Sequence, residues 1–177
     1  SRWAQIKHKK AITDQKRGQL FSKLVKEITI AGRAETNPNF NPRLRKAIEK
    51  AKEAGLPKEN MERALEKSKE SNNLEELTIE AYGPGGIAII AGAITDNRNR
   101  AVSEIKHLLD EYGAKWAEPG SVGWAFDRKI ENNEKVWEAK FLQSVSSKDK
   151  EKLEKILNAL DNHEDIQIIF HNAEITP

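Results

Sequence analysis

Cysteine is absent from the 177 residues. That removes disulfide staples, thiolate zinc ribbons and thiol nucleophiles, and it fits a reducing compartment. Aromatic residues are scarce at 6%, and hydrophobic residues, at 37%, barely outnumber charged ones at 33%. With a mean hydropathy of −0.74, only a modest core is expected, built from four Trp, five Phe and regular aliphatic clusters. No apolar run approaches the roughly 18 residues of a membrane span. The opening Ser1-Arg2-Trp3-Ala4-Gln5-Ile6-Lys7 has no apolar stretch of the kind a secretory signal needs. Its first residue is not Met, which leaves room for a few upstream residues missing or trimmed. The expected setting is the cytoplasm, or the mitochondrial matrix for an organellar protein, with no membrane partner.

Charge of one sign is lacking overall, at a net +2, but the balance hides an asymmetry. Residues 1–70 hold 18 Lys and Arg against 9 Asp and Glu, whereas residues 71–177 hold 12 against 19. Within residues 1–33, nine basic side chains face only Asp14 and Glu27. Two domains with different electrostatic roles are implied, and the basic one suits a nucleic acid, with anionic lipid second. The plain alternative is that lysine serves solubility.

Residues 1–12 read as a basic arm. From Asp14 the apolar positions Phe21, Leu24, Val25 and Ile28 follow a helical period. Lys16, Lys23, Lys26 and Arg33 then fall on the opposite, solvent side. Asn41-Pro42 is an N-cap followed by proline at the first helical position. The second helix buries Leu44, Ala47, Ile48 and Ala51 and stops at Gly55; a third starts near Pro57 and buries Met61, Ala64 and Leu65. Such a thin, alanine-rich bundle is expected to be marginally stable and mobile against its neighbour.

Beyond a linker at 70–73 the period changes. Leu77, Ile79 and Ala81 alternate, Gly83-Pro84-Gly85-Gly86 turns the chain, and Ile87 to Ala91 suits a central strand. A helix over 96–112, strands over 121–126 and 135–142, a helix from 147 and a last strand over 166–170 complete the pattern. The fold class expected is α+β: a three-helix bundle (1–72) and then a ferredoxin-like β-α-β-β-α-β domain with one extra strand (73–177).

The chemistry this allows is mostly electrostatic. Lysines and arginines of the arm and first helix would neutralise phosphates and release condensed counterions, and Trp3 could stack on an exposed base. The residues assigned to nucleic acid are Arg2, Trp3, Lys7, His8, Lys9, Lys10, Lys16, Arg17, Lys23, Lys26, Arg43, Arg45 and Lys46. Nothing here demands base-edge readout. A second candidate is the turn Asp96-Asn97-Arg98-Asn99-Arg100. Asp96 or Asn97 is a good N-cap, while Asn97, Arg98, Asn99 and Arg100 could form an anion or interface site; salt bridges to the acidic half compete with that reading. The glycine loop 83–86 lacks the Gly-Lys-Ser/Thr ending of a phosphate-binding loop and reads as a tight exposed hairpin. His8, His107, His163 and His171 show no ligand spacing, and Asp161, Glu164 and Asp165 read as a solvated turn. No catalytic residue, metal, cofactor or small-molecule substrate is assigned.

Longer motifs then point to a family. Ser1-x-Trp3, Ile6-Lys7-His8-x-Lys10, Lys16-Arg17-Gly18, Phe21-x-Lys23-Leu24 and Asn41-Pro42-Arg43-Leu44-Arg45 resemble the N-terminal signature of the YebC family. Pro57-Lys58-Glu59-Asn60, Tyr82-Gly83-Pro84-Gly85-Gly86, Thr95 to Arg100, Gly120-Ser121-Val122 and Asp165-Ile166-Gln167 resemble it as well. The resemblance implies a helical N-terminal domain followed by α/β domains in a DNA-binding transcriptional regulator. Related mitochondrial translational activators act on ribosomes, in some cases easing synthesis of proline-rich stretches. The implied partners are therefore DNA, or ribosomal or transfer RNA and the ribosome. Family members also carry a further domain inserted between the strand ending near Arg128 and the strand near Lys135; here only a short 129–134 connection is present.

Overall fold

The computed structural model describes residues 13–70, 73–131 and 134–175. Three helices come first: α1 (Asp14–Ala31), α2 (Pro42–Glu53) and α3 (Lys58–Lys69). Each begins where the sequence chemistry demands. The Thr13 side chain accepts from the Lys16 N–H at the start of α1. Asn41 caps α2 with Pro42 at the first helical position, and α3 starts directly after Pro57. Leu24, Ile28, Leu44, Ala47, Ala51, Met61 and Ala64 form the bundle core, with Phe21, Val25, Ile48 and Leu65 packed against it. The small alanines let the helices lie close together, at the cost of buried apolar area.

The second half contains β1 (Glu75–Tyr82), β2 (Ala88–Thr95), α4 (Arg98–Glu111), β3 (Lys115–Ala117), β4 (Phe126–Glu131), β5 (Glu134–Ala139), α5 (Ser147–Asp161) and β6 (Ile166–His171). A four-stranded antiparallel sheet has the order β3-β1-β2-β6, and β4 and β5 pair as a separate hairpin. One face of the sheet packs on α4 and α5 through Ile79, Ile87, Ile89, Ile105, Leu109, Leu153, Ile156 and Leu157. The other face meets the hairpin through Ala88, Ile90, Phe170, Phe126 and Val136. Strand β2 is thus covered on both sides, which explains its nearly unbroken apolar run.

The α+β class, with a helical front followed by a sheet domain, is the one the sequence implies. Inside the sheet, the extra strand β1 takes a central place between β3 and β2, and the strand expected over 135–142 lies outside the sheet as β5, paired with β4 in a hairpin. The segment 121–126 is not a strand. It forms a 3-10 turn over Gly123–Ala125, with Val122, Ala125 and Phe126 buried and Trp124 exposed. Apolar residues spaced by three and then by one mark such a turn, and they imitate alternation over a short window. Among the described residues no helix is long and apolar enough to cross a membrane.

Candidate nucleic-acid interface

The cations of the helical domain divide into two sets. Lys16 and Arg17, in the first turn of α1, and Arg45, in the first turn of α2, are exposed, and Lys46 beside it is half-buried. Lys23, Lys26 and Arg43 are turned the other way. The Lys23 ammonium donates to the Asp161 carbonyl and lies 4.0 Å from the Asp161 carboxylate. Lys26 Nζ donates to Asp165 Oδ1 at 2.7 Å and to the Glu164 carbonyl at 3.2 Å. Arg43 Nε reaches Glu27 Oε1 at 3.0 Å, and its other arm pairs with Glu76 of β1.

The expectation of a solvent-facing row through Lys23 and Lys26 is therefore corrected. The helical period places them opposite the bundle core, but that side of α1 lies against the sheet domain, and Lys23 keeps only 9% of its surface exposed. Arg33 is exposed at the end of α1. Arg2, Trp3, Lys7, His8, Lys9 and Lys10 lie outside the described residues.

The turn before α4 is an ion-pair junction. Asn97 Oδ1 accepts from the Arg100 backbone N–H at 3.0 Å and caps the helix. The Arg100 guanidinium donates to Asp165 Oδ2 at 2.7 Å, Glu104 Oε2 at 2.9 Å, Asp96 Oδ1 at 3.2 Å and Glu164 Oε1 at 3.2 Å. An anion approaching Arg100 meets carboxylates already in place, so the competing salt-bridge reading describes this residue. Arg98 is exposed, 3.5 Å from Glu75, and Asn99 is exposed beside it.

At the centre is Asp165, which the sequence places in a solvated turn and the fold buries, its side chain 1% exposed. Burial pushes its carboxyl upward, but Lys26, Arg100 and the Thr95 hydroxyl (3.1 Å) outweigh that and hold it below the usual carboxylate range. In the sequence this acid stands just before an apolar strand, which by itself does not mark it as buried. Its cationic partners are distant in the chain, and periodicity cannot locate them.

Two further features were not visible in the sequence. Glu80 on β1 is buried, and its carboxylate accepts from the Gly120 N–H and, at 3.1 Å, from the Val122 N–H; the Tyr82 hydroxyl donates to the Ser121 carbonyl at 2.9 Å. These contacts fix the loop that carries Trp124. Trp124 stacks on Phe141 with ring centroids 5.7 Å apart, and with Leu142 they form an exposed apolar patch. On the helical domain, Phe40 stands alone in solvent with 76% of its surface exposed.

Two family descriptions match the chain: the TACO1/YebC protein N-terminal domain over residues 1–71, and the TACO1/YebC second and third domain over residues 74–131. A probable transcriptional regulatory protein of Dictyoglomus thermophilum is 44% identical over 180 residues, covering 99% of this chain and 68% of that protein. One from Chlorobaculum parvum is 55% identical over 133 residues, 73% of this chain and 53% of that protein. The crystal structure of a conserved hypothetical protein from Aquifex aeolicus matches with a TM-score of 0.86 at 33% identity, covering 99% of this chain and 97% of that one. The chain spans about half the length of most of the curated relatives it matches, 53% for the one from Chloroherpeton thalassium.

Proposed function

The chain belongs to the TACO1/YebC family, and from that premise we propose that it is a non-enzymatic regulator of gene expression that grips a nucleic-acid backbone with its helical domain. The names of its relatives support a regulator at the level of the family. The observation that carries the nucleic-acid reading is the positive excess of residues 1–70, with 18 Lys and Arg against 9 Asp and Glu. Turning Lys23, Lys26 and Arg43 onto carboxylates leaves Lys16, Arg17 and Arg45 exposed in the first turns of α1 and α2. Cations at these positions act on phosphates by displacing condensed counterions, which binds any sequence and depends steeply on salt. The relatives' names give transcriptional regulation, a role for which DNA is the natural target; ribosomal or transfer RNA, as for a translational activator, suits the same chemistry.

A second reading, a protein-interaction module, is favoured by the exposed Trp124–Phe141–Leu142 patch. Affinity measured for random duplex DNA, structured RNA and ribosomes across a salt series separates the two. Five to eight phosphate contacts give a log–log slope of about −4 to −7. Charge reversal at Lys16, Arg17 and Arg45 should make that slope shallower by about 1 for each phosphate no longer held. A flat salt response, or binding indifferent to these reversals, overturns the nucleic-acid reading.

A further inference from the structure

The Phe40 ring takes no part in the apolar cores. With 76% of its surface exposed it is the barest large apolar side chain among the described residues. Its mounting, by contrast, is rigid. It ends the 3-10 turn Pro38–Phe40, whose first carbonyl, that of Asn37, accepts from the Phe40 N–H at 3.0 Å. Asn37 Oδ1 accepts from the Asn39 N–H at 3.0 Å, and the Asn37 N–H donates to Glu35 Oε1 at 2.8 Å. The next residue, Asn41, is buried; its Nδ2 donates to the carbonyls of Ala31 (2.7 Å) and Glu35 (2.8 Å), and its Oδ1 accepts from the Leu44 N–H at 3.0 Å. Pro38 and Pro42 restrict the backbone on either side. An aromatic ring is thus held out in water by a turn that has little freedom left to lose.

The surroundings say which partner the ring suits. The Arg45 N–H donates to the Asn41 carbonyl at 2.9 Å, which sets Arg45 one helical turn beyond the residue that follows Phe40, with Lys46 next to it. This is the positive part of the molecule. The larger patch of Trp124, Phe141 and Leu142 sits in residues 71–177, where 19 acids outnumber 12 bases, a less favourable half for a polyanion. A ring without polar atoms, with Arg45 exposed one turn along the helix that follows it, matches the base-on-aromatic contacts of single-stranded nucleic acids, where phosphates meet Lys and Arg and the base lies on the ring.

We infer that Phe40 is a stacking platform for an unpaired nucleobase, with Arg45 and Lys46 holding the neighbouring phosphates. This rests on the nucleic-acid reading above and narrows it to strands with open bases: loops, bulges or single strands. The test compares the full chain with Phe40→Ala and Phe40→Trp, using a single-stranded oligonucleotide, the same strand with abasic sites, and a blunt duplex. Phe40→Ala should weaken binding to the intact single strand by about 5- to 100-fold. It should leave the abasic strand, the duplex and the salt slope unchanged, since stacking releases no counterions, and Phe40→Trp should keep the affinity. Equal affinity of Phe40→Ala and the parent for the intact strand overturns the stacking role and leaves the phosphate contacts standing. Absence of salt-dependent binding by the parent to all three probes overturns both.

Discussion

His171 is nearly sealed, 1% exposed at the end of β6, and burial pushes its imidazole down to about 4. Its Nδ1 accepts from the Ala173 N–H at 3.1 Å, a bond only the unprotonated nitrogen can make. The unfolded chain therefore binds a proton between pH 6.5 and 4 that the folded chain refuses. This contribution to stability is complete above pH 6.5 and is lost as the pH falls toward 4, by up to roughly 3 kcal/mol. Asp165 behaves differently: its lowered carboxyl keeps its contribution above the ordinary carboxylate range and gives it up only in stronger acid. His171→Asn, whose Oδ1 can take the place of Nδ1, should flatten the urea midpoint between pH 6.5 and 4.5, where the parent's midpoint declines. A decline as steep as the parent's would show that the histidine does not drive it. Neither residue was legible in the sequence. A lone histidine in an apolar strand and an acid just before one reveal their burial only when the chain is folded around them.

At the scale of elements, the helices were legible because their starts are written locally: Asn41-Pro42 before α2, Asn97 before α4 and Ser146 before α5 each supply a side-chain oxygen to an orphan N–H of the first turn. Glycines mark what the period alone does not. Gly32 caps the end of α1 against Ser68 of α3, and a Cβ there would lie 2.7 Å from Ser68 Oγ and 3.0 Å from Ser68 Cβ. Gly32→Ala should cost about 1–3 kcal/mol by forcing α1 and α3 apart. Adding Ser68→Gly should recover most of that loss in thermal unfolding; no recovery would mean that the cost lies elsewhere. The short β3 and the β4–β5 hairpin escaped the sequence for a common reason. A three-residue strand carries too few alternations to register, and a hairpin that packs on a sheet has the same alternation as strands within it.

For the whole molecule, the division into a basic front and an acidic back was plain from composition, but its use was not. Patterning shows which side of α1 is polar and cannot show that the acidic turn at 161–165 lies against that side. The bundle, expected to be loosely attached, is joined to the sheet domain by Lys23–Asp161, Lys26–Asp165 and Arg43–Glu76. Because Asp165 is buried, removing Lys26 leaves its charge held by Arg100 and Thr95 alone, a loss of about 1.5–3 kcal/mol for one hydrogen bond to a charged group. Lys23→Met, Lys26→Met and Arg43→Met together should make the helical domain melt ahead of the sheet domain in scanning calorimetry. A single transition at the parent's temperature would refute the coupling. The β4–β5 hairpin has a further consequence. Glu131 and Glu134 are paired across it, so a polypeptide spliced between them would leave and rejoin the scaffold at one spot. Added length at that spot lengthens a loop without crossing any strand, and its entropic penalty grows only with the logarithm of its size. A polypeptide added there would leave every other strand pairing in register.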